Sequence, residues 1–141
     1  KYDILNKQVG RITMNISKKF GDDVIIHWQD RKRWCGLPLS FTRYYILEKP
    51  GQWIKLFCET GLLASHFEEV QLYRIEDFSL NQTFSNKIWG VGNIRIKSND
   101  KSAPIFDIVR IKRPYEVYDI LTSLVSRDRR DRNFRWGEFQ G

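Results

Sequence analysis

His27 and His66 are the two imidazoles of this 141-residue chain, and Cys35 and Cys58 are its two thiols. Imidazole and thiolate are the groups best suited to proton transfer and nucleophilic attack near neutral pH. Neither histidine lies at motif spacing from a nucleophile, so each reads as a structural or surface residue. The cysteines form no C-x-x-C pair and have no histidine partners in spacing, which predicts two buried, reduced thiols instead of a disulfide or a metal site. Asp77, Asp100 and Asp107 could supply carboxylates, but their spacing fits no metal-binding loop. Asp100 belongs with a hairpin turn and Glu76-Asp77 with a strand edge. Gly90-Val91-Gly92 lacks the third glycine of a dinucleotide loop and leads into a strand, so it predicts a turn with positive φ or a close packing contact. Asn15-Ile16-Ser17 and Asn81-Gln82-Thr83 match glycosylation sequons, which carry no weight without a secretory signal. The expectation is no catalytic set, no metal and no cofactor.

Charge is the other chemical resource. The formal net charge is +7, which points to anionic partners and says nothing of fold. The excess collects at Arg31-Lys32-Arg33 and in the tail at Arg127, Arg129, Arg130, Arg132 and Arg135. Guanidinium forks match phosphate oxygens, so Arg31, Lys32, Arg33 and Arg43 form a candidate anion-binding patch with Trp34 as an interfacial anchor. Solvated loop charge is the plainer account of these residues. The tail mixes its arginines with Phe134 and Trp136, as single-stranded nucleic-acid binders do. Asp128 and Asp131 dilute the charge and no nucleic-acid motif accompanies it. The tail is therefore expected to be a solvated, fraying helix end followed by a loose segment whose aromatics fold back on the barrel, and nucleic acid is not an expected partner.

The elements that would position these groups are mostly short strands. Residues 2–20 carry Ile4, Leu5, Val9, Ile12, Ile16 and Phe20 near helical spacing, although Gly10 and the β-branched residues weaken the pattern. Gly21-Asp22-Asp23 stops that segment. The chain begins at Lys1, as a fragment would, and Met14 is an alternative start. Val24–Trp28 is a strand, Gln29–Arg33 a charged loop, and Trp34–Ser40 is broken at Gly36 and Pro38. Phe41–Leu47 and Gln52–Glu59 flank a Lys49-Pro50-Gly51 turn; Ile54, Leu56 and Cys58 share a face. His66–Tyr73 and Ile75–Leu80 follow with a bend near Arg74. Asn81–Gly90 is a loop with a helical turn, Ile88 and Trp89 tucked inward. Asn93–Ser98 and Ile105–Ile111 close a hairpin over Asn99-Asp100-Lys101. Pro114 opens a helix at the position where its missing N–H costs nothing. Val117, Ile120, Leu121, Leu124 and Val125 line its apolar face, with Tyr118 at the rim.

Ser40-Phe41-Thr42-Arg43-Tyr44, Leu72-Tyr73-Arg74-Ile75-Glu76-Asp77, Trp89-Gly90-Val91-Gly92-Asn93-Ile94, Ser98-Asn99-Asp100-Lys101-Ser102 and Arg113-Pro114-Tyr115-Glu116-Val117 occur in that order. Together they resemble the blocks of a bacterial pleckstrin-homology (PH) family, the YdbS-like one, a domain of unknown function. The resemblance spans about Val24 to Arg132. It implies a PH-like, mainly β fold: two near-orthogonal antiparallel sheets, about seven strands, and a C-terminal helix closing one end. Many members of that family carry membrane-spanning helices ahead of the domain; no stretch here approaches the roughly 20 apolar residues a span requires. The resemblance brings no catalytic residues with it.

The expected organisation is an N-terminal extension over 1–23 with helical periodicity, a PH-like domain over 24–132, and a tail over 133–141. The expected function is non-catalytic binding to a protein partner or to another copy, through an exposed strand edge or the groove beside the terminal helix. The alternative is peripheral binding to anionic membrane lipid through Arg31, Lys32, Arg33 and Arg43. The expected location is cytoplasmic, either free or at the inner face of the membrane.

Overall fold

The computed structural model describes residues 16–140 apart from 62, 63 and 65, with backbone alone for 134–140. Met14 and the apolar positions before it lie outside the described residues. A short helical stretch, 16–20, precedes seven strands: β1 (Ile25–Arg31), β2 (Thr42–Lys49), β3 (Trp53–Thr60), β4 (His66–Gln71), β5 (Ile75–Asn81), β6 (Val91–Ser98) and β7 (Ile105–Lys112). A 3-10 turn, Leu72–Arg74, joins β4 to β5; helix α1 (Phe84–Ile88) joins β5 to β6; helix α2 (Pro114–Gln140) closes the chain. β1-β2-β3-β4 form one antiparallel sheet and β5-β6-β7 a second.

Side-chain alternation builds the barrel interior. Ile54 and Leu56 on β3, Ile94 and Ile96 on β6, and Phe106 and Ile108 on β7 all point into one core. Helix α2 adds Val117, Leu121, Leu124 and Val125 at the spacing of one apolar face. Each such fully buried side chain contributes on the order of 1.5–3 kcal/mol before entropy is counted. β2 departs from alternation: Tyr44, Tyr45, Ile46 and Leu47 are buried in succession. The reason is a second core on the outer face of the first sheet, where Ile16 packs with Tyr45, Leu47 and Phe57, and Phe20 joins from the rim. A strand covered on both faces has no solvent side to keep polar.

Two glycines shape the joints. Gly51 has φ +75° and Gln52 N–H donates to Lys49 O at 2.9 Å, the geometry of a turn that demands positive φ at its third residue. Gly92 is needed for closeness instead: a Cβ there would lie 2.7 Å from Pro114 Cγ.

Several expectations need correction. β1 runs on to Arg31, so Gln29–Arg31 is strand, not loop; cross-strand pairing with β2 overrides its polar composition. β4 ends at Gln71 in the 3-10 turn. Helix α2 continues to Gln140, so the backbone beyond 132 is helical, not loose. The helix end is also not simply solvated. Arg127 pairs with Glu48, Arg129 donates to the Ile75 carbonyl, and Arg132 lies 3.7 Å from the Tyr73 ring centroid and 3.5 Å from the buried Asp128.

Candidate functional site

Between β1 and β2 the chain forms a second, smaller hairpin. Trp34 and Leu37 exchange both backbone hydrogen bonds at 2.8 Å. Cys35 (φ 48°) and Gly36 (φ 77°) sit at its tip, both in the left-handed region. Two positive-φ residues between paired positions define the tight turn that matches the strands' twist. The base is closed by Lys32 N–H to Thr42 O at 2.9 Å and by Ser40 Oγ–H to Lys32 O at 2.6 Å.

The hairpin is fastened sideways to the second sheet. Arg33 N–H donates to Arg110 O at 2.9 Å, and the Arg110 guanidinium lies 4.6 Å from the Trp34 ring centroid. Arg110 has φ 51° at the β6–β7 irregularity, where its N–H donates to Asn93 Oδ1 at 2.8 Å. Left-handed non-glycine residues cost energy and persist where their surroundings hold them; here the hairpin and Asn93 do so. Gly36 also abuts the α1–β6 turn, so near that a Cβ on it would be 3.3 Å from the Trp89 carbonyl oxygen.

This end of the molecule presents apolar side chains to solvent. Trp34, Leu37, Leu39 and Phe41 from the hairpin region are each more than half exposed, and so are Phe84, Ile88 and Trp89. Ile88 and Trp89 were expected inside; α1 instead buries Asn86, capped by Thr83 Oγ1 accepting from Asn86 N–H at 3.3 Å. Cys35, expected to be buried, is exposed, because the turn places it at the tip. The segments 31–43 and 83–89 contain no Asp or Glu.

The four candidate cations divide into two pairs. Arg33 is held within the protein, by Asp30 Oδ1 at 3.1 Å and the Gly36 carbonyl at 3.1 Å. Arg43 lies 3.4 Å from Glu59, its neighbour on β3. Arg31 stands opposite Arg43 in the sheet and Lys32 follows it; neither makes an ion pair among the described residues. The structure thus leaves Arg31 and Lys32 at the foot of an apolar hairpin. Leu37, Leu39, Phe41 and the α1 side chains were missed in the sequence because exposed and buried apolar residues look alike there.

Each of the two histidines lies beside a carboxylate. His27 bonds Glu48 at 2.7 Å, and His66 is exposed beside Glu68 at 3.3 Å. Burial raises Glu48, but hydrogen bonds from His27 and Arg127 outweigh it and hold the carboxyl below the ordinary range. Burial pushes the Cys58 thiol up to about 11, away from the thiolate a nucleophile needs. It also raises the Tyr44 and Tyr45 phenols to about 12. Asp100 accepts from Ser102 N–H at 2.9 Å within its hairpin, and Asp107 pairs with Arg95 at 2.9 Å. Among the described residues no three His, Cys, Asp or Glu side chains are grouped to hold a metal ion. No helix among them is long and apolar enough to cross a membrane.

The architecture is that of a PH-like domain, a fold that generally serves as a binding module. The family model described as bacterial PH domain matches residues 36–125, well over half of the chain, and this protein belongs to that family. No curated protein and no solved structure gives a significant match.

Proposed function

We propose that this domain is a non-catalytic binding module that docks on an anionic membrane surface, led by the Trp34–Leu37 hairpin. The observation that carries this reading is the hairpin itself: exposed apolar side chains on a fastened tip, with Arg31 and Lys32 at its foot and no carboxylate between 31 and 43. Contiguous exposed apolar groups mark interaction surfaces. Apolar tips enter the headgroup region while nearby Lys and Arg meet anionic lipid, worth about 1 kcal/mol per cation near the surface. The tip is preorganised, so little ordering entropy is lost on docking.

Co-sedimentation with vesicles tests it. Binding is expected to rise with the anionic lipid fraction and to fall with added salt. The triple variant Leu37→Ser, Leu39→Ser, Phe41→Ser should remove it while leaving the thermal transition in place. Failure of the wild-type chain to bind strongly anionic vesicles at low salt would overturn the reading.

A protein partner is the second reading, and one observation favours it. Among the described residues β1 has a strand neighbour on one side only, and beside its other edge lies a groove lined by Trp28, Gln29, Val117 and Ile120. An extended peptide, from another copy or another protein, would add to such an edge by main-chain hydrogen bonds. Self-association seen by light scattering and abolished by Ile120→Glu would support it; a monomer at all concentrations would remove its self-assembly form.

A further inference from the structure

A groove of about 390 Å³ opens on the outer face of the first sheet, between the helical residues 16–20 and strands β2 to β4. Its volume lies in the range of small-molecule sites, roughly 300–1,000 Å³. Ile16, Phe20, Tyr45 and Phe67 supply apolar and aromatic walls. Phe20 and Phe67 pack together, their ring centroids 6.4 Å apart and their planes tilted by 45°.

Charge in the groove is one-sided. Among the described residues, Lys18, Lys19 and Arg43 line it against the single carboxylate of Glu59. That carboxylate is engaged by Arg43 at 3.4 Å and by the Tyr45 hydroxyl, which donates to it at 3.5 Å. Arg43 Nε is shielded from solvent and has no acceptor among the described residues. Lys18 and Lys19 make no ion pair among the described residues. The Lys19 ammonium lies 4.4 Å from the Phe67 ring centroid, which keeps it at the apolar wall.

We propose that this groove binds a single anionic amphiphile, its phosphate or carboxylate head held by Lys18, Lys19 and Arg43 and its chain laid along the wall that Phe20 and Phe67 form. The excess of three cations over one carboxylate among the described lining residues selects the anion, and the aromatic wall selects a chain over a free inorganic ion. Arg43 lies just beyond the hairpin's closing residue Thr42, so the site sits at the foot of the proposed membrane contact. It does not depend on that contact, because a monomeric ligand can be offered without any membrane.

The test is isothermal titration of the full chain with decyl phosphate and decanoate, both below their aggregation concentrations and without vesicles. Decanol and inorganic phosphate serve as the controls. Saturable one-to-one binding of at least one charged amphiphile is expected, with both controls about tenfold weaker or more, the scale set by one charge-assisted hydrogen bond. A preference between the two shows whether a phosphate head or a carboxylate head is the better ligand. Lys18→Glu with Lys19→Glu, both exposed positions, should weaken binding by about tenfold or more while the chain still unfolds in a single cooperative transition well above the titration temperature. Arg43→Gln should do the same with its own stability measured in parallel. Absence of saturable binding by either charged amphiphile, equal binding of decanol, or indifference to the lysine reversal would overturn the proposal. Since no vesicle is present, none of these results bears on membrane docking.

Discussion

Arg31 of β1 and Arg43 of β2 stand directly opposite each other, and Glu59 of β3 continues the same row. Like charges opposed across strands cost stability, and Glu59 relieves the Arg43 side through its 3.4 Å ion pair, while Arg31 makes no ion pair among the described residues. Arg31 is thus a position where binding and stability pull apart. Arg31→Thr is expected to raise the unfolding free energy in urea by roughly 0.2–1 kcal/mol and to weaken adsorption to anionic vesicles. A variant that lost stability and bound vesicles as before would contradict both halves.

The contact between Gly92 and Pro114 ties the second sheet to the start of α2. Gly92→Ala places a methyl group 2.7 Å from Pro114 Cγ, an overpacking expected to cost about 1–3 kcal/mol. Urea denaturation should show a lower midpoint with an unchanged slope. A midpoint equal to that of the wild type would show that the helix start yields freely.

Two carboxylates should shape the acid limb of stability in opposite directions. Glu48 is held below its ordinary range in the fold, since His27 and Arg127 outweigh its burial. Its contribution is therefore present above the unfolded value, about 4.3, and fades as pH falls through the folded one. Glu48→Gln is expected to destabilise at neutral pH and to match the wild type near about pH 2. Asp128 is raised by burial, against the charge of Arg132 and a hydrogen bond from the Tyr73 backbone. Its contribution is full at low pH and lost as pH rises, so Asp128→Asn should compare better with the wild type at neutral pH than in acid. Denaturation midpoints across that range would show the two differences moving the same way if either sign is wrong.

The closing helix and the barrel glycines were legible in the sequence for local reasons. Val117, Leu121 and Leu124 repeat at helical spacing, and Gly90 (φ +67°) and Gly92 serve the turn and the close contact their motif predicted. What escaped the sequence depends on partners far along the chain. Asp30 extends β1 because its carboxylate receives Lys112 N–H at 2.9 Å and pairs with Arg33. The Trp34–Leu37 hairpin turns on Cys35-Gly36, not on the Asn-Gly or Asp-Gly pair that advertises such a turn. Trp89 and Ile88 mislead because apolar character alone does not separate a core from a contact surface. The groove beside Arg43 needs the packing of Ile16 and Phe20 on the sheet, which brings Lys18 and Lys19 to it.

The two cysteines should differ sharply in reactivity. Cys35 is exposed at the hairpin tip, whereas Cys58 is partly buried and its thiol is raised to about 11. One thiol per chain is expected to react quickly with a disulfide reagent near about pH 8, and the second only when denaturant is added. Two fast thiols in the native protein would contradict the burial of Cys58.

That difference makes Cys35 a reporter for membrane docking. With an environment-sensitive fluorophore on Cys35, emission should shift to the blue on adding anionic vesicles at low salt. A quencher attached to lipid near the headgroups should dim it, and salt should reverse both changes. An unshifted, unquenched signal on vesicles that carry the bound protein would place the hairpin away from the bilayer and contradict the proposed docking.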